Sequence, residues 1–144
     1  MNKISDNQKI VQALKTTDIG GANATSAYVD MRECPIVCFV VTLGTWNAAD
    51  TLDSCKLVQA TDAAGTGVKD ITGKAVTVED PSAAGEVYVL ECKAEDLDTE
   101  NGFTHVACYV AESDDTGVDE VSIISVTGNA RYKYENVLGA TARI

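Results

Sequence analysis

Ile36-Val37-Cys38-Phe39-Val40-Val41-Thr42-Leu43 is a run of eight uncharged residues, most of them β-branched. Side chains that are stiff at χ1 suit a pleated surface better than a helix. Pro35 precedes the run and Gly44 ends it, and eight residues is the length of a strand. Apolar residues occupy both phases of the alternation. The run is therefore expected to be a central strand with both faces buried.

Outward from this strand the same signals recur at short intervals. On its N-terminal side, Ser26-Ala27-Tyr28-Val29-Asp30-Met31 alternates, with Ala27, Val29 and Met31 expected on one face. It follows a turn, Asp18-Ile19-Gly20-Gly21-Ala22-Asn23, rich in residues that tolerate positive φ. On the C-terminal side, residues 44–53 form a polar connection carrying the only tryptophan, Trp46. Residues 54–60 read as a strand. Residues 68–71 and 75–79 read as two short strands flanking Thr72-Gly73-Lys74. In residues 86–94 the alternation puts Tyr88, Leu90, Cys92 and Ala94 inside, with Glu91 and Lys93 outside. Residues 104–111 and 121–128 complete the set. Seven or eight short strands punctuated by Gly, Asp and Ser turns predict an all-β chain, an antiparallel β-sandwich of jelly-roll-like character.

Domain organisation follows from length. The 144 residues fit one domain, expected over residues 18–144, with a C-terminal basic-aromatic segment included. Residues 1–17 read as a short N-terminal arm. Ile10, Val11 and Leu14 have helical spacing, but the stretch is too short and polar to hold a helix alone. It is expected to pack one turn on the body or to reach toward a neighbour.

Charge and cysteine usage exclude several function classes. Eleven Lys and Arg against 22 Asp and Glu give a formal net charge of −11. Nucleic acid and anionic membranes both select for basic residues, so neither is an expected partner. There is no apolar run of membrane-spanning length and no apolar core near Met1, so the chain is expected to be made in the cytoplasm. Five cysteines, Cys34, Cys38, Cys55, Cys92 and Cys108, are an odd number suited to reduced core thiols rather than a disulfide framework.

No catalytic apparatus is legible, and the chain is expected not to be an enzyme. His105, the only histidine, lies within a strand pattern without a nucleophile motif around it. The cysteines lack the paired short spacings of a zinc site, and no cofactor is expected. Residues 96–102 begin like a calcium loop, but Gly102 comes one position late and Ala107 stands where the closing glutamate belongs. Asp114, Asp115, Asp119 and Glu120 form a second acidic cluster. Either loop could hold a divalent ion weakly, although solvated acidic turns are the ordinary case. Candidate partner contacts are Ile10, Val11 and Leu14 in the arm, Trp46 in its connection, and Arg131, Tyr132, Lys133 and Tyr134 near the C-terminus. Aromatic and Arg side chains are favoured at interfaces. Trp46, with nearby tyrosines, would also serve a carbohydrate-binding module.

The order of these features resembles a family. Thr17-Asp18-Ile19-Gly20-Gly21-Ala22-Asn23-Ala24-Thr25-Ser26-Ala27-Tyr28-Val29-Asp30-Met31 looks like the opening of small head-associated proteins of tailed bacteriophages and prophages. The apolar strand ending at Leu43 before Gly44 is similar, as are Leu90-Glu91-Cys92-Lys93-Ala94-Glu95-Asp96-Leu97-Asp98, Tyr109-Val110 and Arg131-Tyr132. The resemblance covers roughly residues 10–134. It implies a non-enzymatic capsid decoration or cement protein located in the phage head, with the major capsid protein as partner and self-association into a homo-oligomer. A tail-tube or head–tail joining protein is the alternative. The family pattern carries no catalytic residues over.

Overall fold

The computed structural model describes residues 8–128. Nine strands follow one another: β1 (Gln8–Asp18), β2 (Asn23–Thr25), β3 (Val29–Asp30), β4 (Ile36–Leu43), β5 (Ser54–Ala60), β6 (Lys69–Ala75), β7 (Val87–Lys93), β8 (His105–Ala111) and β9 (Glu120–Gly128). All of them pair antiparallel. One sheet has the order β1-β9-β4-β7. The other has the order β2-β8-β5-β6, with β3 as a second short segment beside β8. Of the strands that follow each other in sequence, only β5 and β6 pair directly, and most other connections cross from sheet to sheet. This is jelly-roll wiring, and the all-β sandwich expected from the sequence is what the chain forms.

The core lies between the sheets. Strand β4 contributes Val37, Phe39, Val41 and Leu43, and β9 contributes Val121 and Ile123. Cys55 and Leu57 from β5 face them, with Val106, Cys108 and Val110 from β8. Each fully buried Val, Leu, Ile or Phe is worth about 1.5–3 kcal/mol over an exposed one. The connections seal the ends with Ile19, Met31, Trp46, Leu52 and Leu97, all buried.

The structure corrects four expectations. Residues 8–18 are not an arm or a helical turn but edge strand β1, paired with β9 from Gln8↔Gly128 to Asp18↔Glu120. A register shift between Gln12 and Leu14 marks a bulge at Ala13. The extra residue places buried Ala13 and core-packed Leu14 in succession, which mimics helical spacing. Residues 68–71 and 75–79 do not make two strands. A single β6 runs through Gly73, whose φ of 76° absorbs the irregularity. Residues 26–31 are interrupted between β2 and β3, where Ser26 is buried and Ala27 exposed. The Ser26 hydroxyl accepts from the Cys108 amide at 3.0 Å, satisfying the backbone at the break. Finally, β4 is central, between β7 and β9, yet only one of its faces is buried.

Candidate functional site

The uncovered face of β4 belongs to a larger surface. Outward from the β1-β9-β4-β7 sheet, register places Ile10, Val126, Cys38 and Glu91 in one row across the strands. The next row is Gln12, Ile124, Val40 and Val89, and the next is Ser122, Thr42 and Val87. On the other side of the first row stand Gln8, Gly128, Ile36 and Lys93. Charge within these rows stands at the β7 edge, at Glu91 and Lys93, and the exposed Lys15 lies in the irregular stretch of β1 between Leu14 and Thr17. Three of the most exposed large apolar side chains described lie here: Val89 at 59% exposure, Val87 at 55% and Ile124 at 41%.

An antiparallel sheet with one solvated face normally shows polar residues on that face. This one shows Val, Ile and Cys instead, in a chain with a formal net charge of −11. Strand spacing of about 4.8 Å and rows about 7 Å apart give the apolar grid a footprint of roughly 300–400 Å². That matches the largest patches on monomers, which are often functional. It is about half the roughly 800 Å² per partner of a standard interface, so the grid is an anchor within a wider contact.

The residues singled out in the sequence are dispersed. Ile10 lies on the apolar face. Val11 instead lines a groove between the sheets, and Leu14 packs toward the core. Trp46 is not a surface contact: it is 8% exposed, joins the core, and its Nε1 donates to the Asp50 carbonyl at 3.1 Å. It presents no ring to a sugar. Arg131, Tyr132, Lys133 and Tyr134 lie outside the described residues. Sequence reading did not single out the β7 valines or Ile124, which stand exposed on this face. Their signal was the apolar residue in the outward phase of β7, β4 and β9 at once.

The inter-sheet groove, about 240 Å³, gathers Lys9, Tyr28, Asp30, Glu33, Cys34 and His105. The grouping suggests chemistry, but the atoms are committed elsewhere. Asp30 takes a double hydrogen bond from Arg32, at 2.9 Å and 2.6 Å, which holds its carboxyl below the ordinary range. His105 Nε2 stands 3.8 Å from Asp30, and its Nδ1 is 2.8 Å from the Thr104 hydroxyl. Burial pushes the Cys34 thiol up to about 11, so it is protonated at neutral pH and no activated nucleophile is assembled. Two further buried thiols are shifted the same way. Burial raises Cys92 to about 12, and Cys108 is raised by its hydrogen bond with Cys55 and by burial. All five cysteines are free, and only Cys38 is not fully buried.

The first acidic loop is also occupied. Asp96 accepts from the Lys93 amide at 2.8 Å and pairs with Lys74 at 2.9 Å. Asp98 pairs with Lys69 and accepts from Asn101. Among the described residues no helix is long and apolar enough to cross a membrane.

The chain matches no family model and no curated protein. Among solved structures it is similar to a chain in the structure of the infectious bursal disease virus Gx strain, at 10% identity and a TM-score of 0.43, over 89% of this chain. It is also similar to the C-terminal extracellular domain of Mycobacterium tuberculosis EmbC, at 17% identity and a TM-score of 0.39, over 93% of this chain. It spans 34% and 46% of the length of those two chains. Both likenesses are too weak for a role to be carried across.

Proposed function

We propose that the chain is a non-enzymatic virion structural protein, a decoration or cement protein that docks on a phage head through the apolar face of the β1-β9-β4-β7 sheet. The observation that supports this reading most is that face. A sheet built to stand alone in water does not place Val40, Val87, Val89 and Ile124 side by side toward solvent. The acidic remainder of the surface opposes unspecific aggregation, leaving the uncharged grid as the place of attachment. Jelly rolls build viral shells but also lectins and cupins, so the fold alone selects no role. The capsid partner itself comes from the sequence resemblance. Self-association into a symmetric oligomer belongs to the same reading, because it multiplies individually weak contacts.

The test is co-sedimentation of the purified protein with mature shells of the encoding phage, stripped of accessory proteins. Saturation at a fixed ratio to the major capsid protein is the expected result. Failure to bind, with the pure protein forming rings or filaments, would replace decoration by a tail-tube or joining role.

A further inference from the structure

We propose that the end of the sandwich where β1 leads into the β1–β2 turn binds one calcium-type divalent cation, held over Gly20 by Asp18, Asp119 and the Gly117 carbonyl. Strand pairing brings these residues together: Asp18 is opposite Glu120, and the Ile19 amide donates to the Asp119 carbonyl at 2.8 Å. Asp119 is fully buried. Its Oδ1 accepts from the Asn47 amide at 2.8 Å, while its Oδ2 is buried without any hydrogen-bond partner. An orphaned carboxylate oxygen is costly inside a protein, so buried carboxylates are ordinarily paired, protonated or metal-bound.

Gly20 supplies a second, independent observation. It is not among the glycines at positive φ, so the backbone does not require glycine there. A methyl placed on its Cα would stand 3.1 Å from the Gly117 oxygen and 3.5 Å from both Asp119 Oδ2 and Asp18 Oδ1. Three oxygens thus surround the small space that a side chain on Gly20 would fill tightly, and of these Asp18 Oδ1 also accepts from the Gly20 and Asp119 amides at 3.1 Å and 3.0 Å. The field around it is negative. Asp50 and Glu112, each 3% exposed, face Asp119, and the ion pairs formed among the described residues lie on other carboxylates.

A carbonyl and two carboxylates are hard donors, which suit calcium rather than a thiolate- or imidazole-seeking metal. Among the described residues no three acidic, histidine or cysteine side chains form a metal group by themselves. The carbonyl and water must complete the shell, so affinity belongs to the weak range of about 10⁻⁴–10⁻³ M. A proton shared between Asp119 and Asp50 is the competing neutraliser, but it would leave the space over Gly20 unused.

Isothermal titration of the full, EDTA-treated chain with CaCl₂, together with melting curves, tests the site. Saturable binding with one site per chain is expected, with a melting temperature about 3–5 °C higher at ten times Kd. Asp119→Asn and Gly20→Ala should each weaken calcium binding at least about tenfold, the first by removing a ligand and the second by filling the space. Asp98→Asn, in the other acidic loop, should bind as wild type. Absence of both heat and thermal shift in the wild type overturns the proposal. So does a wild-type response in Asp119→Asn. If calcium does nothing and stability instead rises as pH falls from 7 to 5, a proton neutralises the cluster and the cation site is refuted.

Discussion

Replacing Val87, Val89 and Ile124 together by threonine would separate docking from folding. Threonine keeps the β-branch and the strand preference, so the sheet has no reason to change. The three side chains are 55%, 59% and 41% exposed. Fully burying a Val or Ile is worth about 1.5–3 kcal/mol, so the uncovered fractions leave about 2–5 kcal/mol to be gained when a partner covers them. A hydroxyl buried against an apolar partner forfeits most of that gain, because its water must be stripped without replacement. The expected loss of about 2–4 kcal/mol weakens shell binding roughly 30- to 700-fold. Folding stability should move by no more than about 0.5 kcal/mol, as for other exposed substitutions. Co-sedimentation over a concentration series gives the first number and urea denaturation the second. Unchanged binding in a triple variant of normal stability would refute the assignment of this face.

Three further outcomes test the rest. Trp46→Phe removes a hydrogen bond to the Asp50 carbonyl, which keeps the Ser82 amide at 3.1 Å. A stability loss of about 1–2 kcal/mol in denaturant titration with unchanged shell binding is expected, and lost binding at normal stability would return Trp46 to the interface. Asp96 is held below its ordinary value of 3.8, chiefly by the Lys93 amide and also by Lys74. Its contribution is present above 3.8 and is lost as pH falls through the lowered folded value. Asp96→Asn should therefore cost about 1 kcal/mol at pH 7 and progressively less as pH falls below 3.8, whereas a gap constant with pH would contradict the assignment. Cys38 is half-buried on the apolar face, while Cys34, Cys55, Cys92 and Cys108 are at most 2% exposed. A maleimide should label Cys38 first in the folded protein and block docking. Equal labelling of Cys38→Ser would contradict this.

What was legible in the sequence followed the strength of local pattern. Residues 36–43 and 54–60 coincide with β4 and β5: the first is rich in β-branched residues, and both are bounded by clear stops, Pro35 and Gly44 for one and Asp53 and the loop from Thr61 for the other. The inward set Leu90 and Cys92 also follows from alternation. Strand β1 was hidden because its bulge at Ala13 breaks period two. The apolar face was visible as residues but misassigned as buried. A strand apolar in both phases reads the same whether its second face is covered by its own chain or by another molecule. The space over Gly20 was beyond reach. Asp18 and Asp119 are a hundred residues apart in the chain, and only β1–β9 pairing makes them neighbours.

That pairing also sets the order of events during synthesis. Among the described residues strand β1 has its ladder partner only in β9, and β4 lacks one of its two neighbours until β9 arrives. A growing chain therefore carries β1 unpaired and β4 with one open apolar edge until residues 120–128 leave the ribosome. Closing the sheet across such sequence separation is slow, and open apolar edges are where chains aggregate. The β1-β9-β4-β7 sheet, and with it the rows of its apolar face, is therefore assembled only after every strand of the other sheet has been made.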